Sequence, residues 1–377
     1  MTSETKFSPG LEGVVACETR LSHVDGEAGK LIFSGHNAVD LAENKTVEEV
    51  WFLLRHNRLP DAKELKAFRA KVEEAGKLTE DEVKIALKLR VGEPLSAFRS
   101  ILSAIASHRK LKPWLNRDMS EIDEEILALS ALAPQIVEVI HKGKRPIRKA
   151  RNNGYAERYL WGINGRRPDA EAVQAVETYL ILTMDHGMNA STFSARVTAS
   201  TGADVGAAIT TGIGTLSGPL HGGAPGPVLD MLDGIGEADK AEQWVEDQLT
   251  GGRRIMGFGH RVYRTDDPRA LTLRRVAEHQ SGFRVDLARE VEKAVLDKLS
   301  ERQKAKAARL GVAVRPLRVN VEFWTAVVLE HAGIPRELFS STFCTSRIIG
   351  WGEHVREQIG NNKLFRPLSE YTGPDVE

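Results

Sequence analysis

The sequence predicts a mainly α protein with a small N-terminal β-hairpin, and three observations carry that expectation. Helix-start signals recur as capping boxes, in which a Thr or Ser oxygen takes one orphan amide and an acid three residues on takes another, at Thr46/Glu49, Thr79/Glu82 and Ser120/Asp123. Apolar residues repeat at helical spacing, as in Leu287, Val291, Val295 and Leu299. The composition is aliphatic, 41% hydrophobic with only 6% aromatic, a profile that suits packed helices better than a β-sandwich.

In chain order, the strand signal comes first. Gly13 to Thr19 and Lys30 to Phe33 flank Val24-Asp25-Gly26-Glu27, whose turn chemistry predicts a hairpin. Helices follow. Asp61 opens one with Leu65, Phe68 and Val72 on a single face, and Gly76 is expected to close it with a left-handed turn. The run from His141 to Arg151 is densely basic and broken by Pro146. It could receive a phosphorylated ligand, but a solvated connector between helices is the favoured reading. Glycine and proline cluster at 212–227 and 251–259, where backbone can approach a ligand.

The 377 residues allow two or three domains at roughly 150 residues each. Lys plus Arg and Asp plus Glu both number 52, so there is no broad basic footprint for nucleic acid. Cys17 and Cys344 lack disulfide or metal-ligand spacing and read as small apolar residues in a reducing compartment. Met1 to Gly10 has no signal or transit pattern, and no run of about 18 apolar residues occurs, so a cytoplasmic protein with no membrane span is expected.

Gly212-Ile-Gly-Thr-Leu-Ser-Gly218 mimics a dinucleotide fingerprint, but the third glycine is one place late and no strand precedes it. His221, held in Gly-Pro-Leu-His-Gly-Gly-Ala just before an expected helix, is placed to be neutral and to polarise a carbonyl. In Gly257-Phe-Gly-His260-Arg-Val-Tyr-Arg264-Thr-Asp-Asp-Pro-Arg269, three cationic or polar groups surround a Gly-x-Gly turn, which suits a small anion. In Val319-Asn-Val-Glu322-Phe-Trp a carboxylate sits in an apolar stretch, either paired and structural or a base with a tuned pKa.

Together, and in this order, these motifs resemble citrate synthases. The likeness runs from Gly10-Leu-Glu-Gly-Val-Val and Val24-Asp-Gly-Glu-Ala-Gly to Arg366-Pro-Leu-Ser-Glu-Tyr-Thr-Gly. It implies a two-domain helical fold, with a large domain from 1–221 and 327–377 and a small domain of 222–326 inserted between them. It implies condensation of acetyl-CoA with oxaloacetate and hydrolysis of citryl-CoA, with no cofactor, since acetyl-CoA is a substrate, and with no metal. By the same resemblance His221 meets the thioester oxygen, His260 polarises the oxaloacetate ketone, and Glu322 stands at the base. His186, His260, Arg269, Arg347 and Arg366 would hold oxaloacetate, with Arg366 reaching the neighbouring site of a homodimer. Arg264 would meet a CoA phosphate, and Arg254, Ile255, Met256, Gly257, Phe258 and Gly259 would cradle the adenine.

One departure stands out. The family's base is usually Asp in Pro-Asn-Val-Asp, whereas this chain has Val319-Asn-Val-Glu322 and so resembles bacterial citrate and 2-methylcitrate synthase paralogues that carry this Glu. One extra methylene displaces a carboxylate by about 1 Å, enough to cost roughly a hundredfold in rate unless the backbone retreats. Two further readings therefore stand beside citrate synthesis: 2-methylcitrate synthesis from propionyl-CoA, and a weakly active regulatory paralogue that binds oxaloacetate or CoA.

Overall fold

The structure, a computed structural model, describes residues 7–147, 153–221, 225–259, 262–280, 282–310 and 318–374. Strand β1 (Ser22–Asp25) pairs antiparallel with β2 (Lys30–Phe33), Ser22 opposite Phe33 and Asp25 opposite Lys30, and β3 (His36–Asn37) pairs with the far edge of β2. Leu31 and Phe33, two residues apart, both point into the core, the period of a half-buried strand. Asp25 Oδ1 shapes the turn by accepting the N–H groups of Glu27 (3.1 Å) and Ala28 (2.8 Å). The hairpin is thus tighter than expected. Residues 13–19 form no strand, and Val15 is 87% exposed, because the turn pairs β2 with the segment immediately before it. The third strand was not anticipated.

Helices begin largely where their caps predict. Thr46 and Thr79 each accept the N–H of the acid three residues on, at 3.4 and 3.3 Å, and each donates its own N–H back to that acid. Asp61 and Glu64 form a third reciprocal box. Ser120/Asp123 does not. The helix Met119–Ala131 starts at Asp118, whose carboxylate accepts Ser120 N–H at 2.8 Å, and Asp123 pairs with Arg356 at 2.7 Å instead. Gly76 ends its helix at φ −79°, not in the left-handed region; its lack of a side chain matters because a Cβ would lie 2.5 Å from the Ala131 carbonyl oxygen. Gly212 and Gly214 lie inside the helix Val205–Leu216, so no phosphate-binding turn exists there. Leu287, Val291 and Val295 are buried on the helix Phe283–Leu310, with Leu299 packed partly against the same core.

The helix Phe339–Gly360 runs through the centre, packed by Ala190–Ser200, Val205–Leu216, Met119–Ala131 and Ala170–Thr183, and is buried on nearly every side. Small residues permit this. At Gly350 a Cβ would sit 2.2 Å from the Met184 carbonyl oxygen, so only glycine lets the helix lie against the chain at 184–185. A helix buried all round must satisfy its polar groups internally. Glu353 accepts from Arg55 (2.9 Å) and Trp51 Nε1 (3.1 Å). The Nδ1 atom of His354 accepts from Arg196 (3.0 Å), which leaves Nε2–H to donate to Asp185 (3.0 Å). Cys344 is buried and Cys17 half-buried, both free thiols. Among the described residues no helix is long and apolar enough to cross a membrane.

Glu177, on the helix Ala170–Thr183, is buried beside Glu48 and accepts Val47 N–H at 2.8 Å. Burial first, then the Glu48 charge, pushes its pKa from 4.5 up to about 7. Between those values the native state holds a proton that the unfolded chain has lost, so the resulting stability is present at low pH and fades as pH rises through about 7. Glu177→Gln keeps an acceptor for Val47 and should therefore melt higher than wild type at about pH 8 and converge with it near pH 5. Thermal denaturation against pH checks this, and parallel curves would contradict it.

Candidate active site

His221 lies at the end of a turn that follows the helix Val205–Leu216, its N–H bonded to the Gly218 carbonyl at 3.0 Å. Its ring meets the first turn of the helix Ala190–Ser200, where Ser191 N–H and Oγ stand 3.2 and 2.7 Å from Nε2. An amide can only donate, so Nε2 bears a lone pair and the ring proton belongs on Nδ1. Burial, and then the Arg347 charge, lower the pKa to about 4. The neutral form expected from sequence therefore holds, but for another reason: the next helix begins only at Gly226. The central helix steadies the arrangement, since Trp351 Nε1 donates to Ser191 Oγ at 3.1 Å.

Two guanidinium groups share the same interior. Arg347, 2% exposed, donates Nε–H to the Thr183 carbonyl at 2.8 Å and lies 4.9 Å from the centre of the Phe343 ring. Among the described residues it makes no ion pair, and burial lowers its pKa to about 10, which leaves it charged at neutral pH. Arg269, 4% exposed, is gripped by Asp267 through Nε (3.0 Å) and Nη2 (2.8 Å). Burial opposes that charge, but Asp267 outweighs it and the pKa is raised. Tyr263 lies against Arg269 and bonds His186 Nε2 through its hydroxyl at 3.1 Å.

Glu322 opens the helix Val321–His331, capped by Asn320, whose side chain accepts Glu322 N–H at 3.2 Å. Burial raises its pKa and Arg269 pulls it partway back. The same Asn320 ties the glycine-rich segment to this helix: its N–H donates to the Gly257 carbonyl (2.9 Å) and its Nδ2 to the Gly259 carbonyl (3.1 Å). Gly259 N–H in turn reaches Arg318 O at 2.7 Å. Gly257, at φ +83°, could not be replaced, because a Cβ would lie 2.7 Å from the Phe323 ring. Ile255 is buried, Met256 and Phe258 are half-buried, and Arg254 is exposed.

Electrostatic coupling links His221 to Arg347, Arg347 to Arg269, and Arg269 to Glu322. His186 joins them through Tyr263. Arg264 is exposed and paired with Glu27 at 2.8 Å, while Arg366 lies on the exposed tail after the central helix, with no bond to the site among the described residues. His260 lies outside the described residues. Sequence reading missed Ser191, Asp267, Tyr263 and Asp185. Asp267 and Tyr263 lay inside the motif ending at Arg269 and Asp185 beside His186, but nothing in those positions gave their partners. Of the basic run, Arg145 pairs with Glu80 and lines a 560 Å³ cleft with Lys77 and Arg158, away from all these residues; 148–151 lie outside the described residues. Among the described residues no group of three or more His, Cys, Asp or Glu is placed to hold a metal.

Buried guanidinium groups, a neutral histidine with Nδ1–H available and a carboxylate of raised pKa form a site suited to removing a proton from a carbon acid beside a small polyanion. Residues 10–368 match the family described as citrate synthase, C-terminal domain. The chain is 35% identical to the citrate synthase of Haloferax volcanii, over 97% of this chain and 95% of that one, and 35% identical to citrate synthase 2 of Bacillus subtilis, over 98% and 96%. Its fold superposes on citrate synthase from Thermotoga maritima with a TM-score of 0.83 at 33% identity, covering 99% and 98% of the two chains. A Thermoplasma acidophilum citrate synthase, solved as a ternary complex with carboxymethyl coenzyme A and oxaloacetate, gives 0.85 at 27% identity, over 99% and 97%. The chain belongs to the citrate synthase family of acyl-transferring enzymes.

Proposed function

We propose that this enzyme makes citrate, and the observation that carries the proposal is the tautomer of His221. A carboxylate removing so weakly acidic a proton as the methyl proton of acetyl-CoA needs the enolate oxygen stabilised as it forms. The Nδ1–H of a neutral His221 supplies that donor without placing a positive charge beside Arg347. Glu322 takes the methyl proton, aided by burial that makes it a stronger base than an exposed glutamate. The methyl carbon then attacks the oxaloacetate ketone, where His260 would protonate the forming alkoxide. Water adds to the citryl thioester, releasing CoA thiol and leaving the new carboxylate of citrate. Arg269, Arg347 and His186 hold the two carboxylates and the ketone of oxaloacetate. Arg264 meets a CoA phosphate, and the backbone at 254–259 cradles the adenine.

In this reading the chain works in the cytoplasm as a homodimer without a cofactor. The segment 222–326 moves as a small domain against 1–221 and 327–377, and oxaloacetate binds first and closes the cleft. The exposure of Arg366 supports a site completed by the second chain, since among the described residues of its own chain no side chain bonds it.

Four outcomes follow. Thiol release should show a higher kcat/KM with acetyl-CoA than with propionyl-CoA, by roughly 10- to 200-fold for one methylene; the reverse ratio makes the enzyme a 2-methylcitrate synthase, and no release with either substrate refutes both. Glu322→Gln should retain oxaloacetate affinity while kcat drops roughly 10²- to 10⁴-fold. In the wild type kcat should rise with pH as Glu322 ionises, its inflection above the ordinary glutamate range; an inflection at or below that range would contradict a buried Glu322 as the base. Finally, Arg366→Ala and His221→Ala chains, each nearly inactive, should regain turnover when mixed and allowed to exchange subunits, because one hybrid site is intact. Absence of rescue would place Arg366 in its own chain's site.

A further inference from the structure

We infer that residues 22–29 are a positioning strap of the substrate site, which sets the distance between its oxaloacetate end and its CoA end. The inference rests on the functional reading above for what those two ends bind. At one end of the strap, Ser22 Oγ donates to Asp185 and accepts Gly187 N–H at 3.0 Å, so it grips the residues on both sides of His186. Asp185 is buried and further held by His354, which lets the strap and the central helix fix one loop together. Val24 packs against Gly187, whose Cβ would lie 3.3 Å from Val24 Cγ2.

At the other end the hairpin turn meets the loop at 262–266. The Gly26 carbonyl accepts Arg264 N–H at 2.8 Å. A Cβ on Gly26 would fall 2.4 Å from the Val262 carbonyl oxygen, and one on Gly29, at φ +65°, would fall 2.5 Å from Thr265 Oγ1. The turn is therefore in backbone contact with this loop, without space for a side chain between them. The Glu27–Arg264 ion pair adds little, because its partners are 80% and 59% exposed. His186 and Tyr263, one from each gripped loop, bond to each other at 3.1 Å. A single short hairpin thus holds both partners of that contact and the backbone of Arg264. The strap joins the proposed large domain to the small one, so these contacts belong to the closed cleft, where support of this kind keeps the site within the fraction of an ångström that productive geometry requires.

Ser22→Ala and Gly26→Ala test the two ends separately, with Gly234→Ala, which would meet nothing within 4 Å, as control. Calorimetric binding of oxaloacetate and of CoA to the full chain is read alongside KM and kcat. Ser22→Ala should weaken oxaloacetate about tenfold and leave CoA within about twofold. Gly26→Ala should do the opposite, with kcat changed less than KM for acetyl-CoA, and the control should change neither. A merely structural role would lower melting temperature and shift both affinities together, and that result, or unchanged affinities in both variants, overturns the strap. Should Gly26→Ala fail to fold, the selectivity of Ser22→Ala decides alone. Wild type that binds both ligands without releasing thiol would defeat the functional reading and leave the strap to be judged on affinities; wild type that binds neither would defeat both.

Discussion

Two positive charges, Arg269 and Arg347, are buried close enough to repel each other, and only one carboxylate, Asp267, pairs with either among the described residues. Such an arrangement is costly, because charge taken out of water needs a partner to offset the lost hydration. Arg347 has a carbonyl and an aromatic face, which orient it, and the buried Asp185 attracts it without forming an ion pair with it among the described residues. The deficit is one that a dicarboxylate would fill, with planar forks matched to carboxylates. A chain with zero net charge overall thereby concentrates positive charge in one interior place.

Much of the architecture follows from holding Arg347 there. The helix that carries it must be buried, so it is lined with small and apolar residues, and Gly350 lets it lie against the backbone whose Thr183 carbonyl orients the guanidinium. Glu353 and His354 on that helix each find partners on other helices or loops. The same charge disfavours protonation of His221, while Ser191 fixes which nitrogen stays bare. Arg269, in turn, moderates Glu322, keeping the carboxylate basic by burial yet able to ionise. Nucleophile activation and anion binding are thus coupled through shared electrostatics.

How far this could be read from the sequence depends on the range of the interactions. Local chemistry was legible: capping at Thr46 and Thr79, the helix face of Leu287, Val291 and Val295, and the turn before β2 all depend on residues within a few positions. Where two local signals competed, the choice failed, as when Asp118 took the cap expected of Ser120. The motifs around His221, Arg269 and Glu322 were visible because each is compact. Ser191 and Asp185 were not, since a serine 30 residues from His221 and an aspartate 169 residues from His354 acquire meaning only when helices pack. The causes of the neutral His221 were hidden for the same reason: its burial, and then the charge of Arg347, arise only when segments remote in sequence pack together.

The account depends most directly on the claim that the paired guanidinium groups require a dianion. Thermal stability of the wild-type enzyme at neutral pH, measured with matched concentrations of oxaloacetate and of pyruvate, tests it. Both are 2-oxo acids, and pyruvate lacks the second carboxylate. The account predicts a clear rise in melting temperature with oxaloacetate, weakened by salt only slightly because the charges are buried, and little or none with pyruvate. Equal stabilisation by the two would show that one carboxylate satisfies the site, and would contradict the role given to Arg269 and Arg347 together.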